Sequence, residues 1–341
     1  MDRRTLLKAA LALGLGGTAA RLLAADNPAV SADSLAALSG KLTVYLGHGE
    51  GGLYTDIVGA IRERNPALDL ALRRAPSSAL ANTLVAEAGA GGPRADLFWS
   101  VDAASLAVVN GAGMGRRVPD DIRGQIRPEF RYDRWAALSG RIRSLPYNTA
   151  RLSPSDLPDR IMDLPDSDLR VGWAPSYAAF QAFIAAMRLL EGEARTRRWL
   201  EAMKSKAQSY AGELGVVLAT ARGEVDVGLA NHYYTLRLKS GDPDASVALG
   251  FTRDDAGCLV NAAGTALLSD RALPADFTRY LLTREVQTFL AEQAYEIPLV
   301  TGVAPPAGLP SMDTIQPPEL DLARLSELKP ALALLRDTGV L

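Results

Sequence analysis

The segment from residue 41 to residue 100 alternates between two hydrophobic periods, and that alternation constrains the fold more than any other feature. "KLTVYLG" (41–47) is a short apolar run rich in β-formers, and the Gly-rich turn "HGEGG" follows it. Residues Tyr54 to Arg64 then take helical spacing, "ALDLALRR" alternates as a strand, "SALANTLVAEAG" is helical again and "ADLFWS" is a third strand. A β-α-β-α-β order predicts a parallel sheet with helices on both faces. In such sheets ligands sit beyond the carboxyl ends of the strands, here the segments "LGHGEGG" and "FWSVDAA".

The pattern recurs further along. "WAALSGRIRSLPYN" (135–148) reads as a long strand leaving the first unit, and a second α/β unit opens at "DLRVGWAPSYAAF". Helices are expected over 178–191 and 193–205, then strand, helix and strand within "SYAGELGVVLATARGEVDVGLANHYY", and a helical segment over 274–294. "YEIPLVTGVAPPAG" is an extended, Pro-containing return. A chain of 341 residues suits two such units. The expected division is an export signal over 1–25, a linker over 26–40, a first lobe over 41–139 with 264–293 returning to it, and a second lobe over 140–263 with 294–341 packing on it. The fold class is α/β, two lobes joined by long strands, with a ligand cleft between them.

The first 25 residues carry a basic start, an Ala/Leu/Gly-rich stretch and small residues at Ala24 and Ala25, the layout of an export signal. Arg3 and Arg4 before "TLLK" match a twin-arginine signal in part; Asp2 stands where Ser or Thr precedes the pair and Leu replaces Phe, so the Sec route is the other reading. A net charge of −2 offers no nucleic-acid-binding surface. The single cysteine, Cys258, rules out an internal disulfide and a multi-cysteine metal site. No phosphate loop, G-x-S-x-G elbow or H-x-x-x-H pair occurs, and the only histidines are His48 and His232, so the sequence favours binding over catalysis.

The unusual residues are Tyr233 and Tyr234. Val225, Val227 and Leu229 alternate as in a strand, which would send adjacent tyrosines to opposite faces. If the strand ends at Asn231, both phenols can reach a cleft. A phenolate is a hard anionic donor suited to a hard, highly charged cation, and a bound cation holds it ionised at neutral pH. The other reading of the pair is one packing ring and one surface ring.

"WAALSGRIRSLPYNTARLSPSDLP" and "GEVDVGLANHYYTLRL", with "LTVYLGHGEG", "RADLFWSVDAASL" and "VNAAGTALL", resemble the bacterial periplasmic ferric-ion-binding proteins of ABC iron importers over nearly all of the mature chain. The resemblance implies a type II periplasmic binding fold. It implies a monomer that binds Fe³⁺ with or without a synergistic anion and delivers it to an inner-membrane permease and its ATPase. Tyr233 and Tyr234 match the paired ligating tyrosines, and Tyr147 the additional tyrosine of some members. Arg141 and Arg143 match the arginines of the SGR-x-R strand, and Asn231 an asparagine that helps hold the anion. His48 lies one residue before the family's histidine position, Gly49, and is expected either as a further metal ligand or as a loop histidine in solvent, while the family's glutamate position falls on Val101 beside Asp102. The anion loop reads "PSYAAF", which makes Tyr177 a further phenol or a lid aromatic, and Glu213 stands near a polar anion partner, where its charge repels phosphate. The alternative is the same fold binding a small organic or phosphorylated solute.

Overall fold

The computed structural model describes residues 28–48, 52–326 and 328–341. The export signal expected over 1–25 lies outside the described residues. The chain forms two compact units: the first runs to Gly140 and takes back Ala262–Pro306, while the second comprises Arg141–Asn261 and Ala307–Leu341. The strands in chain order are β1 (Gly40–Gly47), β2 (Leu68–Ala75), β3 (Leu97–Ser100), β4 (Ala136–Asn148), β5 (Val171–Trp173) and β6 (Ala207–Ser209). They continue with β7 (Val227–Gly228), β8 (Ala230–Asn231), β9 (Val247–Gly250), β10 (Val260–Leu267) and β11 (Ile297–Pro298).

In the first unit β1 pairs in parallel with β2 and β3, and helices Leu53–Arg64, Ser77–Gly89 and Ala103–Gly111 follow these strands as the alternation predicts. Beyond β3 the sheet changes direction, because β10 runs antiparallel to it with Thr265 opposite Trp99. The order β2-β1-β3-β10-β4 requires close approach at Gly264, where an added Cβ would stand 2.5 Å from the Ala136 carbonyl and 2.7 Å from the Trp135 ring. Leu42, Val44, Ile57, Ile61, Leu97, Phe98 and Leu106 are buried in this unit's core.

Two expected boundaries move. Residues 28–39 are anchored to the first unit instead of forming a free linker. Ser31 Oγ and the Ala32 N–H donate to the Glu285 carboxylate at 2.7 and 2.9 Å, and the Leu38 N–H donates to Asn65 Oδ1 at 2.7 Å. Residues 294–306, expected on the second lobe, belong to the first unit, because β11 pairs with β4 at Gly140 and Ser139. Glu296, just before β11, accepts from Tyr54 Oη at 3.0 Å and from Ser139 Oγ, which fastens this return to buried first-unit groups. The helix expected over 274–294 is divided into Ala272–Leu281, Arg284–Phe289 and a π-helical turn Leu290–Ala294, closed by Tyr295 at φ 56°.

The second unit orders its strands β4-β7-β5-β6, with β5 parallel to both neighbours and β4 antiparallel to β7, β8 and β9. Its core is aromatic. Trp173, Phe180, Phe183 and Trp199 meet edge to face or tilted, with ring centroids 5.5 to 6.4 Å apart. Such contacts add to the area these rings bury. The terminal helix Leu328–Asp337 packs on helix Ala178–Glu191, which carries Phe180 and Phe183.

Candidate metal centre

Strand β8 ends at Asn231, and helix His232–Gly241 begins at the next residue. Tyr233 and Tyr234 therefore occupy the first helical turn. Successive helical residues are ~100° apart around the axis, not 180° as in a strand, so both rings turn to one side. Their centroids lie 4.5 Å apart at an interplanar angle of 47°, and both side chains are buried, at 5% and 7% exposure.

Tyr177 joins them. It is the N-cap of helix Ala178–Glu191, and its Oη lies 2.8 Å from Tyr234 Oη in a hydroxyl–hydroxyl hydrogen bond. The register explains the meeting. Strands β5 and β7 are parallel neighbours with Val171 opposite Val227, and Tyr177 and Tyr233 each follow these residues by six positions. All three phenols thus leave the sheet at the same carboxyl end.

Polar groups surround the trio. Asn231 Nδ2 donates to Tyr233 Oη at 3.3 Å. One helical turn on, the Arg237 guanidinium carbon stands 5.2 Å from the Tyr233 ring centroid and 6.0 Å from that of Tyr234. A cation over these ring faces is attracted by their electron density, and more strongly once a phenol is ionised. Behind them Arg143, 3% exposed, forms an ion pair with Glu213, 0% exposed, and its other Nη donates to the Leu229 carbonyl at 3.3 Å. The second Glu213 oxygen accepts the Asn231 N–H at 2.8 Å. Arg143 and Glu213 therefore support Asn231. Arg141 precedes Arg143 by two residues on β4 and is half-buried.

Other expected residues stand elsewhere. Tyr147 is buried on β4 opposite Val227, at the amino end of β7, whereas the tyrosine pair lies beyond Asn231, which faces Arg143. Tyr147 lies four residue steps along the strand from Arg143, about 13 Å at 3.3 Å per step. Antiparallel pairing thus takes Tyr147 away from the trio; its ring packs near Gly250, whose added Cβ would touch Cδ1 at 3.4 Å. His232 is fully buried, and its Nδ1 accepts the Ile142 N–H at 3.2 Å, so this ring ties the helix start to β4.

His48, Val101 and Asp102 belong to the first unit. His48 is exposed just past β1, with its N–H donating to the Ala75 carbonyl at 3.1 Å. Asp102 caps helix Ala103–Gly111, accepting from the Ser105 N–H at 2.7 Å and its Oγ at 3.1 Å. Gly49 lies outside the described residues. Among the described residues there is no cluster of three or more His, Cys, Asp or Glu that could hold a metal.

The model of the bacterial extracellular solute-binding proteins matches residues 42–296. An Fe(3+)-binding periplasmic protein of Serratia marcescens is 29% identical over 289 residues, covering 82% of this chain and 85% of its own. The major ferric iron-binding protein of Neisseria meningitidis serogroup B is 30% identical, covering 75% of this chain and 81% of its own. Among solved structures, iron-bound HitA from Pseudomonas aeruginosa superposes with a TM-score of 0.77 at 29% identity, over 88% of this chain and 99% of that one. Apo FutA2 from Synechocystis, at 24% identity and a TM-score of 0.72, shares the fold. This chain belongs to the bacterial extracellular solute-binding protein family.

Proposed function

We propose that the protein is the periplasmic binding component of an ABC importer, capturing ferric iron through the phenol oxygens of Tyr177, Tyr233 and Tyr234. Delivery to an inner-membrane permease and its ATPase completes the role, with no reaction catalysed. The observation that carries this reading is the 2.8 Å separation of the Tyr177 and Tyr234 oxygens beside the Tyr233 ring. Two oxygens in adjacent positions on an octahedral cation, with metal–oxygen bonds of about 2.0 Å, stand about 2.8 Å apart. The hydrogen bond therefore sets these two oxygens at a spacing compatible with adjacent positions on a small hard cation.

Charge favours the same ligand. Three phenolates neutralise Fe³⁺, whereas an organic solute would need hydrogen-bonding partners for each of its polar groups in so buried a site. The Serratia and Neisseria relatives, named for ferric iron, support iron over the organic-solute alternative. The test is titration of the metal-free protein with chelated Fe³⁺, followed by visible absorbance. Phenolate-to-iron charge transfer should colour the loaded protein, and Tyr233→Phe and Tyr234→Phe should each lower iron affinity by orders of magnitude and shift that band. Parent-like iron binding by both variants would refute the assignment.

A further inference from the structure

We propose that His232 converts strand into helix between Asn231 and Tyr233, its imidazole standing in for a backbone acceptor, and that this relay lets both phenols meet iron from one side. The inference deepens the ferric-iron reading and rests on it for its functional readout. The register locates the problem. Arg143 pairs with Asn231 and Ser144 with Ala230, so the next step along the ladder would set Ile142 opposite His232. The Arg143 N–H turns the other way, donating to the Leu259 carbonyl at 2.9 Å, and alternation along the strand sends the Ile142 N–H toward His232. In a continued antiparallel ladder the His232 carbonyl would accept it.

His232 is instead the first residue of helix His232–Gly241, where a carbonyl points along the axis toward the amide four residues on. Its Nδ1 accepts the Ile142 N–H at 3.2 Å. Both residues are 0% exposed, so without this nitrogen the Ile142 amide would be left unpaired in the core, which is strongly unfavourable. The lower-energy arrangement would then continue the strand through His232, and a continued strand sends Tyr233 and Tyr234 to opposite faces. The imidazole thus frees its own carbonyl for the helix and fixes where the strand stops. The same ring meets Tyr233 edge to face, with centroids 5.7 Å apart at 76°, so it also steadies the first phenol. His232 acts through the tyrosines, which makes it a positioning residue. Asparagine is its conservative replacement, because Oδ1 stands at the same bond separation from Cα as Nδ1 and accepts in the same way.

The experiment compares the parent with His232→Asn, which keeps the acceptor, and His232→Phe, which keeps a ring against Tyr233 but removes the acceptor. Hydrogen exchange at the Ile142 amide of the metal-free protein reads the relay directly. It should be slow in the parent and in His232→Asn and much faster in His232→Phe. Competition against a ferric chelator reads the consequence. If the helix start is formed in only about one molecule in ten, apparent affinity falls about tenfold. His232→Phe should therefore bind iron at least about tenfold more weakly, while His232→Asn stays within about threefold of the parent. That rescue separates an acceptor role from ring packing, and thermal melts establish that each variant is folded. Parent-like affinity in a folded His232→Phe, or equal Ile142 exchange in it and the parent, would overturn the proposal. Binding by His232→Asn as weak as that of His232→Phe would overturn it too, by assigning the effect to the ring. Should His232→Phe not fold, His232→Asn still decides, since lost Ile142 protection or about tenfold weaker binding there refutes the relay. Absence of iron binding by the parent would overturn the iron reading, and the exchange comparison alone then judges the strand-to-helix relay.

Discussion

Replacing Tyr177 and Tyr147 in turn by Phe separates the tyrosine that the register brings to the pair from the one that the resemblance names as the additional ligand. Each change keeps the ring and removes one oxygen. In the metal-free protein Tyr177→Phe deletes the 2.8 Å bond to Tyr234, a neutral hydrogen bond of a half-buried group worth about 0.5–1.5 kcal/mol. Melting should therefore change little. Iron affinity decides between roles. If Tyr177 only donated to a Tyr234 phenolate, the loss would be that of a hydrogen bond to a charged group, about 1.5–3 kcal/mol or about 10- to 150-fold. If it ligates the metal, the loss should exceed about a thousandfold, with a shifted charge-transfer band because one phenolate has gone. Tyr147→Phe should leave both affinity and colour at the parent level, since the register carries that residue to the opposite end of β7. Equilibrium titration against a ferric chelator, read with absorbance spectra, measures both quantities. Intact affinity in Tyr177→Phe together with a large loss in Tyr147→Phe would refute the register argument.

Phenol ligands must lose protons to bind, so iron affinity should fall as pH drops, with release before unfolding; a flat titration would exclude phenolate ligation. Asp255 accepts from the Ile161 N–H at 2.6 Å, Thr252 Oγ1 at 2.5 Å and the Gly257 N–H at 2.8 Å, all buried. Asp255→Asn turns an NH₂ toward one of these donors and should cost about 2–3 kcal/mol in urea unfolding, with a cost below half a kcal/mol counting against it. In the first unit the Arg279 guanidinium, 2.7 and 3.0 Å from the two Asp121 oxygens, holds that carboxyl below its usual value. A depressed acid stabilises the fold above its unfolded pKa, ~3.9, and loses that contribution as pH falls through the folded value. Asp121→Asn should thus flatten the acid limb of the stability curve while costing at most about 1 kcal/mol at neutral pH, since the pair is partly exposed. Export should fail when Arg3 and Arg4 are both replaced by Lys if the twin-arginine route is used; unchanged periplasmic yield points to the Sec route.

The first unit was legible because its strands and helices declare themselves in period, and hydrophobic periodicity is a local property. What escaped was set by partners distant in sequence. The return through Ile297 and Pro298 reads as extended in either unit, and only its pairing with Ser139 and Gly140 decides the matter. Residues 28–39 are small and polar enough to read as a linker, yet the buried Glu285 carboxylate, more than 250 residues away, captures their backbone and hydroxyl donors. The tyrosine pair was half legible. A strand ending at Asn231 is one of two readings the sequence allows, and the turn beyond it is the first turn of a helix, which is why two adjacent phenols can share one side.

Tyr147 and Tyr177 show where sequence reasoning reaches its limit. Both follow apolar strand-forming residues, and nothing local tells which strand end each will occupy. That is a matter of direction. Tyr147 lies on a strand antiparallel to β7, so moving along β4 toward Tyr147 means moving back toward the beginning of β7. Tyr177 follows β5, which runs parallel to β7, so the two chains advance together and deliver Tyr177 and the pair to the same carboxyl end. In a parallel pair, equal distances in sequence from a register point become equal heights above the sheet; in an antiparallel pair they become opposite ones. The hydroxyl contact between Tyr177 and Tyr234 is therefore a consequence of strand direction in the second unit. The same geometry makes the Glu213–Arg143 pair matter, because Arg143 sits opposite Asn231 in the antiparallel register, where its compensated charge can brace the start of the tyrosine helix without entering the phenol group.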